Sequence, residues 1–189
     1  MGTFEGKLLI AVPDLQDTNF FRSVVLVLHH DQFGASGVVL NRPSDTLVSD
    51  LSSQLEIAVQ SESVLAQRLH VGGPVEGPLI VLHNDRDRCE ETIIPGVYMS
   101  TRKDLVEQLL STKGVELRLF SGYSGWSSEQ LENEVELGGW LLLDAKSNHV
   151  FGSAESLWNT VCDQFGSEIC QVRPRWQDDG EDTFDPAMN

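Results

Sequence analysis

The chain has 189 residues, of which 40% are hydrophobic and 22% charged, and its formal net charge is −16. That length and balance suit one globular domain with a sizeable core, and no apolar run approaches the ~20 residues of a membrane-spanning helix. The acidity sets nucleic acid phosphates and anionic lipid surfaces aside as partners, because like charges repel them at long range.

From the N-terminus, Met1 to Val12 carries one lysine and no long apolar core before a small-residue cleavage site, so no secretory signal is expected. Gly6-Lys-Leu-Leu-Ile-Ala-Val12 reads as a buried strand stopped by Pro13. Asp17 is placed to cap one helical turn carrying Phe20 and Phe21 inward. Ser23-Val-Val-Leu-Val-Leu-His-His30 is apolar on both faces, as a central strand is. After a short turn, Ser36 to Arg42 returns as its antiparallel partner and ends at Pro43. Leu47 to Val59 has helical apolar spacing, with Ser44 or Asp45 as cap.

Leu69-His-Val-Gly-Gly-Pro74 reads as a strand entering a glycine turn, and Gly77 to His83 as another strand. Glu91–Ile94 and Val97–Met99 flank Pro95-Gly96. Thr101 to Asp104 fits a capping box before a helix that buries Leu105, Val106 and Leu109 and ends at Gly114. Val115 to Phe120 alternates apolar and charged residues, which predicts a strand with one solvated face. Phe120 to Trp140 reads as strand, glycine turn, a helix starting near Ser127, glycine turn and strand. His149 to Phe151 is a further short strand. Ser153 caps a last helix from Ala154 to Phe165. Beyond Trp176 the chain is acidic and poor in apolar residues. Asp178 to Asn189 holds five acids, and without them 24 acids still face 13 bases. Residues 1–170 are expected to form one domain and 171–189 a disordered acidic tail. Hairpins mixed with helices predict an α+β fold with a mixed, largely antiparallel sheet and helices packed on it.

Chemistry-bearing patterns are incomplete. Gly122-Tyr-Ser-Gly-Trp126 approaches the G-x-S-x-G nucleophile elbow, but Trp126 stands where a small residue is required. Asp144 and His149 follow Ser124 in triad order, although geometry and not order defines a triad. The same turn could instead offer Ser124 and helix N–H groups to an anion. Arg42, held between Asn41 and Pro43, could receive an anionic group, or could pair with Asp14, Asp17 or Asp45. His29, His30, His70, His83 and His149 make no zinc-type spacing, and Gly72-Gly73-Pro74 lacks the Lys and Ser/Thr of a phosphate loop. Three cysteines, Cys89, Cys162 and Cys170, are an odd number without paired spacing, which suggests reduced thiols in the cytoplasm. No metal, cofactor or complete catalytic set is predicted.

Gly6 to Pro13, Asp14-Leu-Gln-Asp17, Phe20 to Leu28 and Gly34 to Pro43 together resemble the N-terminal signature of the YqgE/AlgH family. Val71-Gly-Gly-Pro-Val75 resembles its central motif. Gly122 to Trp126, Gln130-Leu-Glu132, Glu134 and Trp140 resemble its C-terminal one. The resemblance spans about residues 6 to 165. It implies a bacterial cytoplasmic protein whose mixed sheet curls into a partial barrel, and it brings no agreed catalytic residues. One branch of that family is labelled a transcriptional regulator of alginate synthesis, yet this chain shows no helix-turn-helix with a basic recognition helix. The reading is a non-enzymatic binding or regulatory protein with an unknown protein or small-molecule partner and an undefined oligomeric state. The candidate ligand-binding residues are Asn41, Arg42, Gly72, Gly73, Ser124 and Trp126. The alternatives are a hydrolase-like enzyme acting on a small anionic substrate near Arg42 and Ser124, and a transcriptional regulator.

Overall fold

A computed structural model of the chain describes residues 3–13, 15, 17–54, 59 and 61–165. Its strands are β1 (Lys7–Ala11), β2 (Val24–Asp31), β3 (Gly34–Val39), β4 (Pro43–Leu47), β5 (Arg68–Val71), β6 (Ile80–His83), β7 (Glu91–Ile94), β8 (Val97–Ser100), β9 (Leu117–Ser121), β10 (Ser124–Ser127) and β11 (Trp140–Asp144). Its α-helices are α1 (Val48–Gln54), α2 (Glu62–Leu65), α3 (Lys103–Ser111), α4 (Gln130–Glu136), α5 (Ser147–Phe151) and α6 (Ala154–Gln164).

The fold is α+β. One sheet runs β10-β3-β2-β1-β11 and is antiparallel throughout. The other runs β4-β5-β9-β6-β8-β7, with β5 and β9 parallel and the rest antiparallel. Neither sheet closes on itself. The period-two alternation of side chains explains the apolar runs. In β1, Leu8 and Ile10 enter the core between the sheets, together with Leu26, Leu82 and Phe120, while Leu9 faces the opposite side with Val25 and Trp140. A strand covered on both faces has no polar positions to alternate. Helix α3 covers the outer face of the second sheet, its Val106, Leu109 and Leu110 packing on Val81 and Leu119. Helix α6 sends Leu157 and Val161 between the sheets.

The chain crosses from one sheet to the other twice, between β3 and β4 and between β9 and β10. Gly72 ties the crossings together. Its carbonyl accepts from Val39 N–H at 2.8 Å and its N–H donates to Ser121 O at 2.9 Å. One residue earlier, Val71 N–H donates to Arg42 O at 2.9 Å. A Cβ on Gly72 would lie 2.3 Å from the Gly122 carbonyl oxygen, so only glycine fits.

Several segments depart from their sequence expectation. Asp17 starts a turn and not a helix, its carboxylate accepting from Asn19 N–H at 2.7 Å. Phe20 packs inward while Phe21 is 52% exposed, because successive residues of a turn cannot share one face. Pro43 opens a strand in the second sheet, where it pairs with His70. The helix expected over 47–59 is described from Val48 to Gln54, and 55–58 lie outside the described residues. Thr101 makes no capping box, since its N–H and hydroxyl are taken by Glu90. Residues 124–127 form β10 and not a helix start. Ser124 and Trp126 are buried and alternate with exposed Gly125 and Ser127, the strand period. His149 to Phe151 belongs to α5, where the ring Nδ1 accepts from Lys146 N–H at 3.2 Å. Ser153 occupies the N-cap of α6 without capping it, its hydroxyl donating to Glu155 at 3.0 Å. The acidic tail, Asp14, Gly166 and Cys170 lie outside the described residues.

Replacing Gly72 by Ala is expected to destabilise the chain by about 1–3 kcal/mol, the range for forcing an atom into packed backbone. Gly114→Ala, where a Cβ meets nothing within 4 Å, should cost only the local backbone strain. Urea midpoints of the two variants check this, and equal midpoints contradict it.

Candidate functional site

Five of the six residues singled out by sequence come together at the crossing. Arg42 and Val71 are joined through backbone, and Ser124 Oγ donates to Gly72 O at 3.2 Å. Their polar groups, however, serve the backbone. Asn41 Oδ1 accepts from Val24 N–H and its Nδ2 donates to Arg22 O, both at 2.9 Å, which staples the start of β2 to the end of β3. Arg42 Nη2 donates to Phe21 O at 3.3 Å. Burial lowers the Arg42 guanidinium below its ordinary value, and the nearby Asp17 charge partly opposes this. Asp45 pairs instead with Arg68. Ser124 is fully buried. Asp144 is bonded to Lys7, and His149 is used within its own turn, so neither activates Ser124. Gly72 and Gly73 permit close approach and offer no side chain.

Trp126 lies apart, on the outer face of the first sheet. It stacks on Phe20 at 5.8 Å between ring centroids and meets Trp140 edge-on at 6.2 Å. One oxygen of Glu134 accepts from both indoles, at 2.9 Å from Trp126 Nε1 and 2.8 Å from Trp140 Nε1. The other accepts from Gln130 at 2.9 Å, and Gln130 in turn accepts from Ser127 N–H. A carboxylate suits this position because it only accepts. Helix α4 is thereby fixed onto the sheet through two indole donors to one side chain, which Gln130 of the same helix holds in place.

A cavity of about 460 Å³ opens beside the crossing. It lies between the end of the second sheet and the turn joining α5 to α6. His70, Arg118, Glu155, Arg68 and Glu116 supply its ionisable groups, and Val64, Val115, Leu117 and Phe151 its apolar wall. His70 is 7% exposed, yet among the described residues neither ring nitrogen meets a partner in good hydrogen-bond geometry, and its contact with the Arg68 backbone raises its pKa only against the larger effect of burial. A buried polar atom left unpaired costs roughly 1–3 kcal/mol, which makes it a marker of a site. Burial, and then repulsion from Arg118, lowers the His70 pKa to about 4. The imidazole is neutral at pH 7 and offers one donor and one acceptor.

Arg118 enters the cavity from the middle of β9. Its guanidinium donates to Leu40 O at 3.3 Å and Gly152 O at 2.5 Å, and among the described residues it forms no ion pair. Burial pushes its pKa below the ordinary value and Glu155 partly opposes this. Its direct bonds are to neutral carbonyls, so the charge is only partly compensated, by Glu155 at longer range. The N-terminus of α6 faces the same space and is not capped by a side chain. Its positive dipole end favours an anion, and the Glu155 carboxylate in the first turn already takes its own N–H. Sequence reading missed these residues. Arg118 sits in an alternating strand, where a charge normally means a solvated face. His70 sits between Leu69 and Val71, and its burial was the available signal.

A family model described as AlgH-like matches residues 8–170. A UPF0301 protein of Myxococcus xanthus is 36% identical over 157 residues, 82% of this chain and 86% of that protein. A UPF0301 protein of Chlorobaculum tepidum is 36% identical over 174 residues, covering 88% and 89%. The solution structure of the AlgH protein from Pseudomonas aeruginosa superposes with a TM-score of 0.69 at 24% identity, covering 90% of each chain. A Corynebacterium diphtheriae protein superposes at 0.68 with 24% identity, covering 84% and 85%. These two structural likenesses speak to the fold.

Two measurements test the geometry. Glu134→Gln sets an amide against two indole N–H groups and should cost about 1–3 kcal/mol, read from the urea midpoint of tryptophan fluorescence. An unchanged midpoint counts against the bridging carboxylate. For His70, the folded pKa of about 4 lies below the ordinary 6.5. Between those values the unfolded chain binds a proton that the folded chain does not, so stability falls as pH drops through the window. The loss is about 3 kcal/mol at most. His70→Leu should flatten that part of the pH dependence between pH 6.5 and 4, and an unaltered slope contradicts the assignment.

Proposed function

The chain belongs to the AlgH-like family, and we propose that it is a non-enzymatic binding protein whose cavity at His70 and Arg118 takes a small molecule bearing an anionic group. The observation that carries this reading is the Arg118 guanidinium, half-buried in an open cavity and without an ion pair among the described residues. Buried charges are ordinarily paired, and where the protein supplies no counter-charge a ligand can. The unpartnered His70 ring and the uncapped end of α6 support the same ligand class. The volume suits a small metabolite rather than a polymer. The proposed contacts therefore move from the crossing residues Arg42, Gly72 and Ser124 to His70 on β5 and Arg118 on β9, the strands that lead into the crossing.

The state of Ser124 supports binding without turnover. Ser124 is the nucleophile that the sequence brings to mind, and its hydroxyl is buried and committed to Gly72 O. The partner in this reading is a small molecule, since a net charge of −16 opposes contact with nucleic acid. The cytoplasm is the proposed compartment. Among the described residues neither Cys89 nor Cys162 forms a disulfide, which supports it.

Thermal unfolding of the full chain in 3-phenylpropanoate, acetate and inorganic phosphate tests the proposal. A ligand at 100 times its dissociation constant adds about 2.7 kcal/mol, so at least one of these should raise the Tm with concentration. Arg118→Met and His70→Leu should each weaken that rise, with folding of both variants checked by circular dichroism. Absence of any rise, or an equal rise in both folded variants, overturns the reading.

A further inference from the structure

The anion reading leaves one charge in the cavity unexplained, and the inference here rests on that reading. Four ionisable side chains other than His70 border the cavity, and two of them are already engaged. Arg68 pairs with Asp45 at 2.9 Å. Glu116 accepts from Asn84 Nδ2 at 3.0 Å. The remaining two are Arg118 and Glu155. They carry opposite charges and line the same cavity, yet form no ion pair with each other or with any other described residue. Both are restrained by local bonds. Arg118 is tied to the Leu40 and Gly152 carbonyls, and the Glu155 carboxylate takes the Ser153 hydroxyl at 3.0 Å. Bonds to its own N–H and to Ser153 keep the Glu155 carboxyl below its ordinary range, so it is charged at neutral pH.

Two opposite charges that line one cavity without pairing match a molecule that carries both. Arg118, extending from a central strand, marks the inner end. Glu155, exposed on the first turn of α6, marks the mouth. The neutral His70 ring beside Arg118 can donate to one oxygen of an anion. Val64, Val115, Leu117 and Phe151 leave an apolar wall that neither charge uses. We propose that the cavity binds a zwitterionic small molecule with an apolar substituent, an α-amino acid in its simplest form. Its carboxylate sits on Arg118 and His70, its ammonium on Glu155, and its side chain against the apolar wall.

Isothermal titration of the full chain with matched probes tests this. The zwitterions are leucine and phenylalanine, the des-amino acids are 4-methylpentanoate and 3-phenylpropanoate, and the amines are 3-methylbutylamine and 2-phenylethylamine. The zwitterions should bind about tenfold more tightly than the des-amino acids, and the amines more weakly than either. Glu155→Gln, an exposed substitution, should remove the tenfold preference and leave des-amino acid binding in place. Arg118→Met should weaken both classes. Des-amino acids that bind as tightly as the zwitterions, or a preference that survives Glu155→Gln, overturn the zwitterion proposal while the anion cavity stands. Amines that bind as well as the zwitterions, or no binding by any probe, overturn both.

Discussion

The contact between Gly72 and the Gly122 carbonyl is the constraint on which the rest of this structure depends. Two sheets can share a core only if the chain passes between them without leaving backbone groups unpaired. Here both passages occur at one point, and Gly72 donates to one sheet while accepting from the other. A side chain at either glycine would push the passages apart and break those bonds. The two sheets therefore meet at fixed geometry, and everything carried on β4, β5, β9 and β10 inherits it.

That geometry places the cavity. His70 lies two residues before Gly72, and Arg118 four residues before Gly122, so the crossing sets their separation. Phe120 lies between Arg118 and the crossing on the same face of β9, its ring 5.5 Å from the His70 ring. It closes the core behind them, so the two polar side chains look outward from the last apolar layer. The first sheet takes no part in the charge pattern. Its outer face is organised by Glu134, whose acceptors hold Trp126, Trp140 and α4 in place. A side chain whose lone pairs are so fully used serves packing, and the tryptophans around it do the same. The Gly122 to Trp140 segment, the richest in aromatic and glycine landmarks, is thus framework for a site that lies on the other side of the crossing.

Access to a cavity decides the difference between framework and site. Arg42 and Arg118 both lose solvent and both donate to carbonyls. Each has one carboxylate nearby as partial compensation, Asp17 for Arg42 and Glu155 for Arg118. Arg118, however, lines a cavity of about 460 Å³. The same chemical group is structural in one place and available in the other.

Sequence by itself determined the family resemblance, the α+β class, the central β2–β3 hairpin and the strands with two apolar faces, because burial on both sides leaves no choice but continuous apolar residues. It also marked Gly72, Gly122 and Trp126 as fixed points, since glycines in a tight turn and a tryptophan beside them are local signals. Tertiary structure alone decided the division into two sheets, the strand at Ser124 to Ser127, the helix at His149 and the cavity. Each of these depends on which residues distant in sequence come to face one another. The charge pattern of the cavity has the same origin. Arg118 and Glu155 are 37 positions apart in the chain, and whether they pair or stay separate is set by where Gly152 and Ser153 hold them.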